Sequence, residues 1–162
     1  MNDFPSKLNF FIKDSEWIFV RLSDNRLTGT YTEEFVCADL SLYIITLPNL
    51  EKTWREISLY YILALINSSL QTFYFRNMNY IKNYGLKVGT PQIRLSDLRL
   101  MPLPNIASEN SKITVQKICT IVEGILKSNS NNGLKDSMVE IDDLVMDLYK
   151  LTPEEKEIIR KS

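Results

Sequence analysis

The side chains best suited to chemistry in this sequence are cations and amides concentrated in one loop and its flanks. Arg76, Lys82 and Lys87 can neutralise phosphate groups, an interaction that supplies affinity but no choice of sequence. Gln92, Asn79 and Asn83 have amides that can form paired hydrogen bonds to adenine. Arg94 can form paired hydrogen bonds to guanine. These residue types favour nucleic-acid binding. The candidate set is Arg76, Asn79, Tyr80, Lys82, Asn83, Lys87, Gly89, Thr90, Gln92 and Arg94, with Arg26 and Thr28 from an earlier loop as a second group.

Plainer interpretations of the same residues stay open at this point. Gly85 and Gly89 would let backbone amides approach a phosphate closely, but glycines also occur in any tight loop. Tyr80 and Tyr84 can pack beneath the loop instead of facing a ligand, and Arg94 can face solvent or a surface carboxylate.

The distribution of charge supports a polyanion partner, although the 162-residue chain has a net charge of only −1. Residues 52–100 carry 7 basic and 2 acidic side chains, a net of +5. Residues 1–51 carry 4 basic and 8 acidic side chains, a net of −4. A basic segment can bind a polyanion because the local field matters more than the total. A solvated surface with scattered charges is the alternative.

Several catalytic chemistries lack their residues here. The sequence contains no histidine, which excludes Ser–His and Cys–His catalysis within it. Cys37 and Cys119 lie in apolar surroundings and are expected to be buried thiols in the cytoplasm, not a zinc site. Glu154-Glu155-Lys156 matches a short sequence motif of some nucleases, but acidic residues are favoured at the start of any helix. We therefore expect a non-enzymatic chain that needs no cofactor or metal of its own.

The elements that must position the basic loop begin with a small sheet. Aromatic and β-branched residues predict strands at 17–22, 35–38 and 42–47. The segment 42–47 is apolar on both faces, which predicts a central strand. Residues 26–32 are interpreted as a polar link in which Gly29 is free to take a positive φ.

A long helix over residues 54–76 is predicted immediately before the loop. Thr53 and Glu56 have the spacing of a capping box. Residues 57–66 are almost wholly apolar, which predicts that this helix is buried. Two short strands are predicted after the loop, at residues 91–95 and 98–103.

A helical tail is predicted after about residue 106. Apolar residues recur at helical spacing over 111–127, and those over 134–148 repeat in a heptad-like seam that requires an apolar partner in cis or from another chain. Thr152 and Pro153 indicate the start of one more helix. The predicted fold class is α+β: a core at 1–106 with a small sheet and one long buried helix, then a helical spacer or docking tail at 107–162.

Three ordered motifs are similar to a known family. They are YILALINSSLQTFYFRN, a G-x-P-Q-I segment that leads into L-x-x-L-x-x-x-P-L-P, and EIDDLVMDLYKLTPEEKEII. Together they resemble the TaqI-like C-terminal specificity domain, with Ile66 where leucine is usual and Lys150 where glycine or another small residue is common. The segment Gly89–Pro104 also resembles the end of a recognition domain in type I specificity subunits.

The resemblance implies a division of labour. This family forms the target-recognition region of type II restriction-modification enzymes and adenine-specific DNA methyltransferases, so duplex DNA is the implied partner. Catalysis, S-adenosylmethionine and Mg²⁺ would belong to a methyltransferase or endonuclease domain in cis or in trans, with no membrane involved. The alternative is a protein-interaction module that self-associates through its helical seam, as half-length specificity subunits can.

Overall fold

The computed structural model describes residues 16–34, 41–47, 49–87, 89–128 and 133–162, apart from the side chains of Thr53 and Glu56. The predicted strand at 35–38 and the predicted buried thiol of Cys37 lie outside the described residues and stay predictions.

A three-stranded antiparallel sheet forms the first layer, with strands β1 (Trp17–Arg21), β2 (Gly29–Thr32) and β3 (Leu42–Ile45). The predictions of β1 and β3 are confirmed in position. The central place predicted for β3 is wrong within the described part of the sheet, where the order is β2-β1-β3. Residues Trp17–Val20 of β1 are all buried, whereas Ile44 of β3 is 37% exposed. Apolar residues on both faces therefore did not distinguish the central strand from its neighbour.

Strand β2 replaces the polar link that we predicted over residues 26–32. It pairs with β1 in the register Trp17↔Thr32 to Val20↔Gly29. A side chain at Gly29 would crowd the next helix, because its Cβ would lie 3.0 Å from Cγ2 of Ile66. The polar sequence GTYT does not predict a strand, because the position of β2 in the sheet depends on contact with a helix that is distant in the sequence.

Two helices stand where one long helix was predicted. Helix α1 (Lys52–Asn67) and helix α2 (Ser69–Asn77) are separated by Ser68, whose backbone is extended at φ −69° and ψ 147°. The Ser68 hydroxyl donates to the Leu65 carbonyl at 2.7 Å and accepts from the Gln71 amide at 3.2 Å, so it ends one helix and caps the next. The predicted cap at Thr53 is wrong, because the helix already begins at Lys52.

The buried character predicted for the apolar helix is confirmed. Leu59, Leu65 and Ile66 are completely inaccessible, and they join β1 in one hydrophobic core. The Asn67 side chain leaves the helix to bond Gly29, accepting from its amide and donating to its carbonyl at 3.0 Å each. This asparagine thus imitates a strand partner and holds β2 against α1.

A two-stranded hairpin follows, made of β4 (Ile81–Lys82) and β5 (Gln92–Ile93). The strand predicted at 91–95 is confirmed only at β5. The strand predicted at 98–103 is wrong, because a short helix, α3 (Leu95–Leu98), ends at its first residue and a turn and irregular backbone follow over residues 99–103. The amides of Asp97 and Leu98 bond the Arg94 carbonyl, and Leu98 is buried. Leucines spaced three apart are equally suited to a helical turn, which buries only one of them.

Three helices complete the described chain: α4 (Glu109–Lys127), α5 (Leu134–Leu148) and α6 (Pro153–Arg160). All three predicted helices are confirmed, and Thr152 with Glu155 forms a complete capping box at α6. Ile118, Ile141 and Val145 are buried in the same core as β1 and α1. The heptad-like seam therefore has an apolar partner in cis. None of the described helices combines the length and the apolar character that a bilayer crossing requires.

Lys150 occupies a backbone conformation that favours glycine. It follows α5 at φ 59°, its amide bonds the Asp147 carbonyl at 2.9 Å, and the Leu151 amide bonds the Met146 carbonyl at 3.2 Å. This is a left-handed helix cap, in which a side chain is penalised by steric crowding. We predict that Lys150→Gly stabilises the fold by about 1 kcal/mol in denaturant unfolding. Lys150→Ala removes the same charge but keeps a Cβ, so a gain of equal size there would contradict the explanation.

Candidate nucleic-acid interface

The hairpin presents part of the predicted site on one exposed face. Ile81 pairs with Ile93, and both are completely buried. Lys82 pairs with Gln92 one position along, where Lys82 is half-buried and Gln92 is exposed. Because successive strand residues point to opposite faces, the isoleucines anchor the hairpin while Lys82 and Gln92 share its outer face.

The hairpin is fastened to the sheet by hydrogen bonds across long sequence separations. The Ile93 amide donates to the Leu22 carbonyl at 2.8 Å, and the Tyr43 hydroxyl donates to the Ile93 carbonyl at 3.1 Å. The Ser23 hydroxyl donates to the Pro91 carbonyl at 2.9 Å. The outer face is therefore presented by a strand that is fixed to the core.

Asn83 and Gly89 shape the loop between the two hairpin strands. Both have positive φ, 60° and 97° respectively. The Asn83 side-chain amide donates to the Thr90 carbonyl at 3.1 Å, and a Cβ on Gly89 would lie only 3.0 Å from that nitrogen. These three predicted site residues close the loop on itself, so their first role is to hold its shape.

Asn79 and Tyr80 also have structural roles. Asn79 has φ 56° two residues after the end of α2, and the Tyr80 amide donates to the Phe75 carbonyl at 2.8 Å, which is a second left-handed helix cap. The Tyr80 ring packs edge-on against Phe75, with centroids 5.5 Å apart, and against Tyr74. The plainer interpretation of Tyr80 as a packing residue describes its geometry. The Lys82 ammonium donates to the Asn79 carbonyl beside it.

Arg76 joins the two groups of candidates. Its Nε donates to the Asn25 carbonyl at 3.1 Å, and its guanidinium carbon lies 4.7 Å from the centroid of the Tyr84 ring. A cation over an aromatic face is attracted by the ring quadrupole. Arg76 therefore connects the hairpin loop to the turn between β1 and β2. In that turn Arg26 is exposed, whereas the Thr28 hydroxyl is engaged with Asp24 at 3.0 Å.

Three predicted residues keep their side chains available. Lys87, Gln92 and Arg94 are exposed, and no hydrogen bond or ion pair joins their side chains to the rest of the described structure. The sequence contains no acidic residue from position 57 to position 96. The positive charge of the hairpin is therefore not neutralised by carboxylates of its own segment.

A cleft of about 710 Å³ adjoins this region. It is bordered by the β1–β2 turn, by α1 and α2, and by α5, α6 and the residues after α6. Its lining residues are Arg26, Asn67, Ser69, Thr72, Arg76, Leu134, Lys135, Met138, Asp142, Ile159, Arg160 and Ser162. Sequence reasoning did not find Lys135 or Arg160, because both come from the tail and no local pattern relates them to the loop.

Asp142 caps α2 from this cleft. Its Oδ1 accepts the Ser69 amide at 2.8 Å across 73 residues of chain. Burial raises the pKa of Asp142, while the Ser69 hydrogen bond and the charge of Arg26 act in the opposite direction. A folded carboxyl with a raised pKa holds its proton more tightly than the unfolded one. Its ionisation therefore reduces stability as the pH rises from its ordinary pKa through the raised value.

Two substitutions of Asp142 distinguish its role as the cap of α2 from the effect of its buried charge. We predict that Asp142→Ala destabilises the fold by about 1 kcal/mol, because the first turn of α2 loses its acceptor. Asp142→Asn keeps an acceptor oxygen without the buried charge, so its stability should fall less than that of the wild type over the same acidic pH interval. Chemical denaturation at several pH values measures both effects. Equal pH dependence in wild type and Asp142→Asn would contradict the assignment.

The described chain is a small α+β fold that holds a basic hairpin at its surface. The particular family follows from comparison: the model of the TaqI-like C-terminal specificity domain matches residues 3–103, and the chain belongs to this family. No curated protein matches the chain. The family is not catalytic in itself, and membership gives the chain a DNA-recognition role in a restriction-modification system, with DNA and a methyltransferase domain as the suggested partners.

Proposed function

We propose that the chain reads a short sequence in duplex DNA through the β4–β5 hairpin and so directs a separate catalytic domain to its target. Lys82 and Lys87 would contact phosphates, while Gln92 and Arg94 would reach base edges in the major groove. Arg26 and Arg76 would contact the flanking backbone. Asn79, Tyr80, Asn83, Gly89 and Thr90 would hold the reading residues in place, and Thr28 would do the same for the neighbouring turn.

One observation carries this proposal. The hairpin buries Ile81 and Ile93 and leaves Lys82 and Gln92 on its other face, beside a loop that is closed by Asn83. A two-stranded ribbon is narrow enough to enter the major groove, and a fixed ribbon loses little conformational entropy on binding. The family assignment supports DNA as the ligand.

The catalytic work would belong to another polypeptide region. In this proposal S-adenosylmethionine and Mg²⁺ are bound by a methyltransferase or endonuclease domain in cis or in trans, and this chain needs neither. The proposal also places the chain in the cytoplasm, where thiols such as Cys119, which is buried, stay reduced.

We favour DNA reading over the alternative of an assembly module. A homodimer built on the seam of α5 would need apolar side chains that are committed elsewhere: Ile141, Val145 and Leu148 are at most 6% exposed. Sedimentation of the purified chain across a concentration series tests the alternative directly, because a dimer would show a concentration-dependent mass.

The test of the proposed function is selection from a pool of randomised duplexes at low and moderate salt. We expect enrichment of a motif of a few base pairs that persists as salt rises, because base contacts discriminate while phosphate contacts are screened. Binding without enrichment, lost at moderate salt, would reject sequence reading. No binding at either salt, with or without a methyltransferase partner, would reject the DNA role.

A further inference from the structure

The cleft beside the hairpin combines cations from four separate elements. Arg26 belongs to the β1–β2 turn, Arg76 to α2, Lys135 to α5 and Arg160 to α6. Their convergence follows from the tertiary fold, since more than 130 positions separate the first from the last. Like charges brought together repel one another, so such a cluster is more stable with an anion bound.

The carboxylates nearby leave most of this charge unmatched. Arg160 forms an ion pair with Asp143, and its Nη1 lies 4.0 Å from Oε2 of Glu157. Asp142, the one acidic residue among those lining the cleft, accepts from the Ser69 amide at the positive end of α2. For Arg26, Arg76 and Lys135, no ion pair is formed with any residue that the structure describes. Three cations therefore face the cleft without forming an ion pair there, and Asp142 interacts with Arg26 only through the field of its charge.

A polar group on the cleft wall provides a second, independent observation. Thr72 is 7% exposed, lines the cleft, and its hydroxyl has no hydrogen-bond partner among the described residues. Buried hydroxyls are normally hydrogen-bonded, and one without a protein partner requires an explanation such as an ion that binds beside it. The Thr72 hydroxyl donor beside three cations suits the oxygens of a phosphate.

The cleft is continuous with the proposed reading surface. Arg76 lines the cleft, while its guanidinium also stacks on Tyr84 of the hairpin loop. We propose that the cleft is a phosphate-binding site that takes one backbone phosphate of the DNA, next to the groove that the hairpin enters. The DNA part of this inference rests on the proposed function, whereas the affinity of the cleft for phosphate does not.

The decisive experiment is an NMR titration of the whole chain with two probes, inorganic phosphate and the selected duplex. The test variant is Arg26→Gln with Lys135→Gln, which removes two exposed cations from the cleft rim. The matched control is Lys112→Gln with Lys127→Gln, which removes the same charge from exposed positions of α4. We expect both probes to shift the amides of Ser69 and Lys135 in wild type and control, and neither to do so in the cleft variant.

The salt dependence of duplex affinity provides a second readout. Loss of one phosphate contact should reduce the slope of log K against log salt by about 0.9 in the cleft variant, with no change in the preferred sequence. Duplex binding with silent cleft amides and an unchanged slope would overturn this inference, together with the backbone contact of Arg26, and leave the reading role of the hairpin intact. Phosphate shifts without duplex binding would support the anion site and overturn its use for DNA. Silence with both probes would overturn the inference entirely.

Discussion

Reversing the two hairpin lysines, Lys82→Glu with Lys87→Glu, is expected to weaken duplex binding by more than about 100-fold. Two contacts with phosphate are lost, and two carboxylates then face the DNA backbone. The net charge of residues 52–100 falls from +5 to +1. No carboxylate lies between positions 57 and 96 to form a compensating pair within that segment. Fluorescence anisotropy with the selected duplex at low salt measures the loss.

The control variant carries the same change of charge on another surface. Lys112→Glu with Lys127→Glu alters two exposed lysines of α4, each of which forms an ion pair with a glutamate on the same helix. Both variants should unfold within about 0.5 kcal/mol of the wild type, since surface substitutions rarely cost more. Affinity that falls equally in both would indicate a general charge effect. Affinity retained in the hairpin variant would remove the hairpin from the DNA interface.

The parts of the fold that the sequence predicts correctly are those with a clear apolar period. Strand β1 and helices α4, α5 and α6 follow from local patterns and caps. The errors occur where the deciding contact is distant. Gly29 is in a strand because α1 passes within reach of its Cα and Asn67 bonds its backbone. Neither contact can be predicted from the residues around position 29.

The break at Ser68 shows the same limitation. Serine occurs within helices as well as at their starts, so the Asn67-Ser68-Ser69 sequence did not decide between an end and a continuation. The cap on α2 comes from Ser68 itself and from Asp142 in the tail. The tail motif therefore has a structural task that its sequence does not reveal, because its aspartate completes a helix 73 residues earlier.

For the candidate site, the sequence indicates residue types that the structure brings together, but it does not indicate which of these residues also hold the backbone in shape. The predicted cations and amides lie on the hairpin and the adjoining turn. Asn79 and Asn83, however, are at positions of positive φ, where asparagine is favoured whatever the ligand. Backbone conformation cannot be read from side-chain chemistry, so these two residues were interpreted as base readers. Lys135 and Arg160 were missed because the approach of α5 and α6 to α2 is a property of the tertiary fold.

The largest expected effect on stability concerns a buried ion pair next to the first residue of β1, at the opposite end of this strand from the β1–β2 turn. Arg55 of α1 donates to Glu16 at 2.8 Å, and the two side chains are 12% and 0% exposed. Arg55 also donates to the carbonyls of Leu47 and Leu50. We predict that Arg55→Met destabilises the fold by about 3–5 kcal/mol, because a buried carboxylate is left without its cation. Denaturant unfolding monitored by circular dichroism measures the loss.

The double variant Glu16→Leu with Arg55→Met distinguishes the charge from the packing. Removing both charges leaves no uncompensated ion, so the double variant should be more stable than Arg55→Met alone. Some loss should persist, since the carbonyls of Leu47 and Leu50 no longer have their donor. A double variant less stable than the single one would mean that Glu16 is stabilised without Arg55. Strand β1 leads directly into the turn whose carbonyls accept hydrogen bonds from Ile93 and Arg76. The ion pair that fastens the start of β1 to α1 therefore also helps to fix the base of the hairpin that we propose reads DNA.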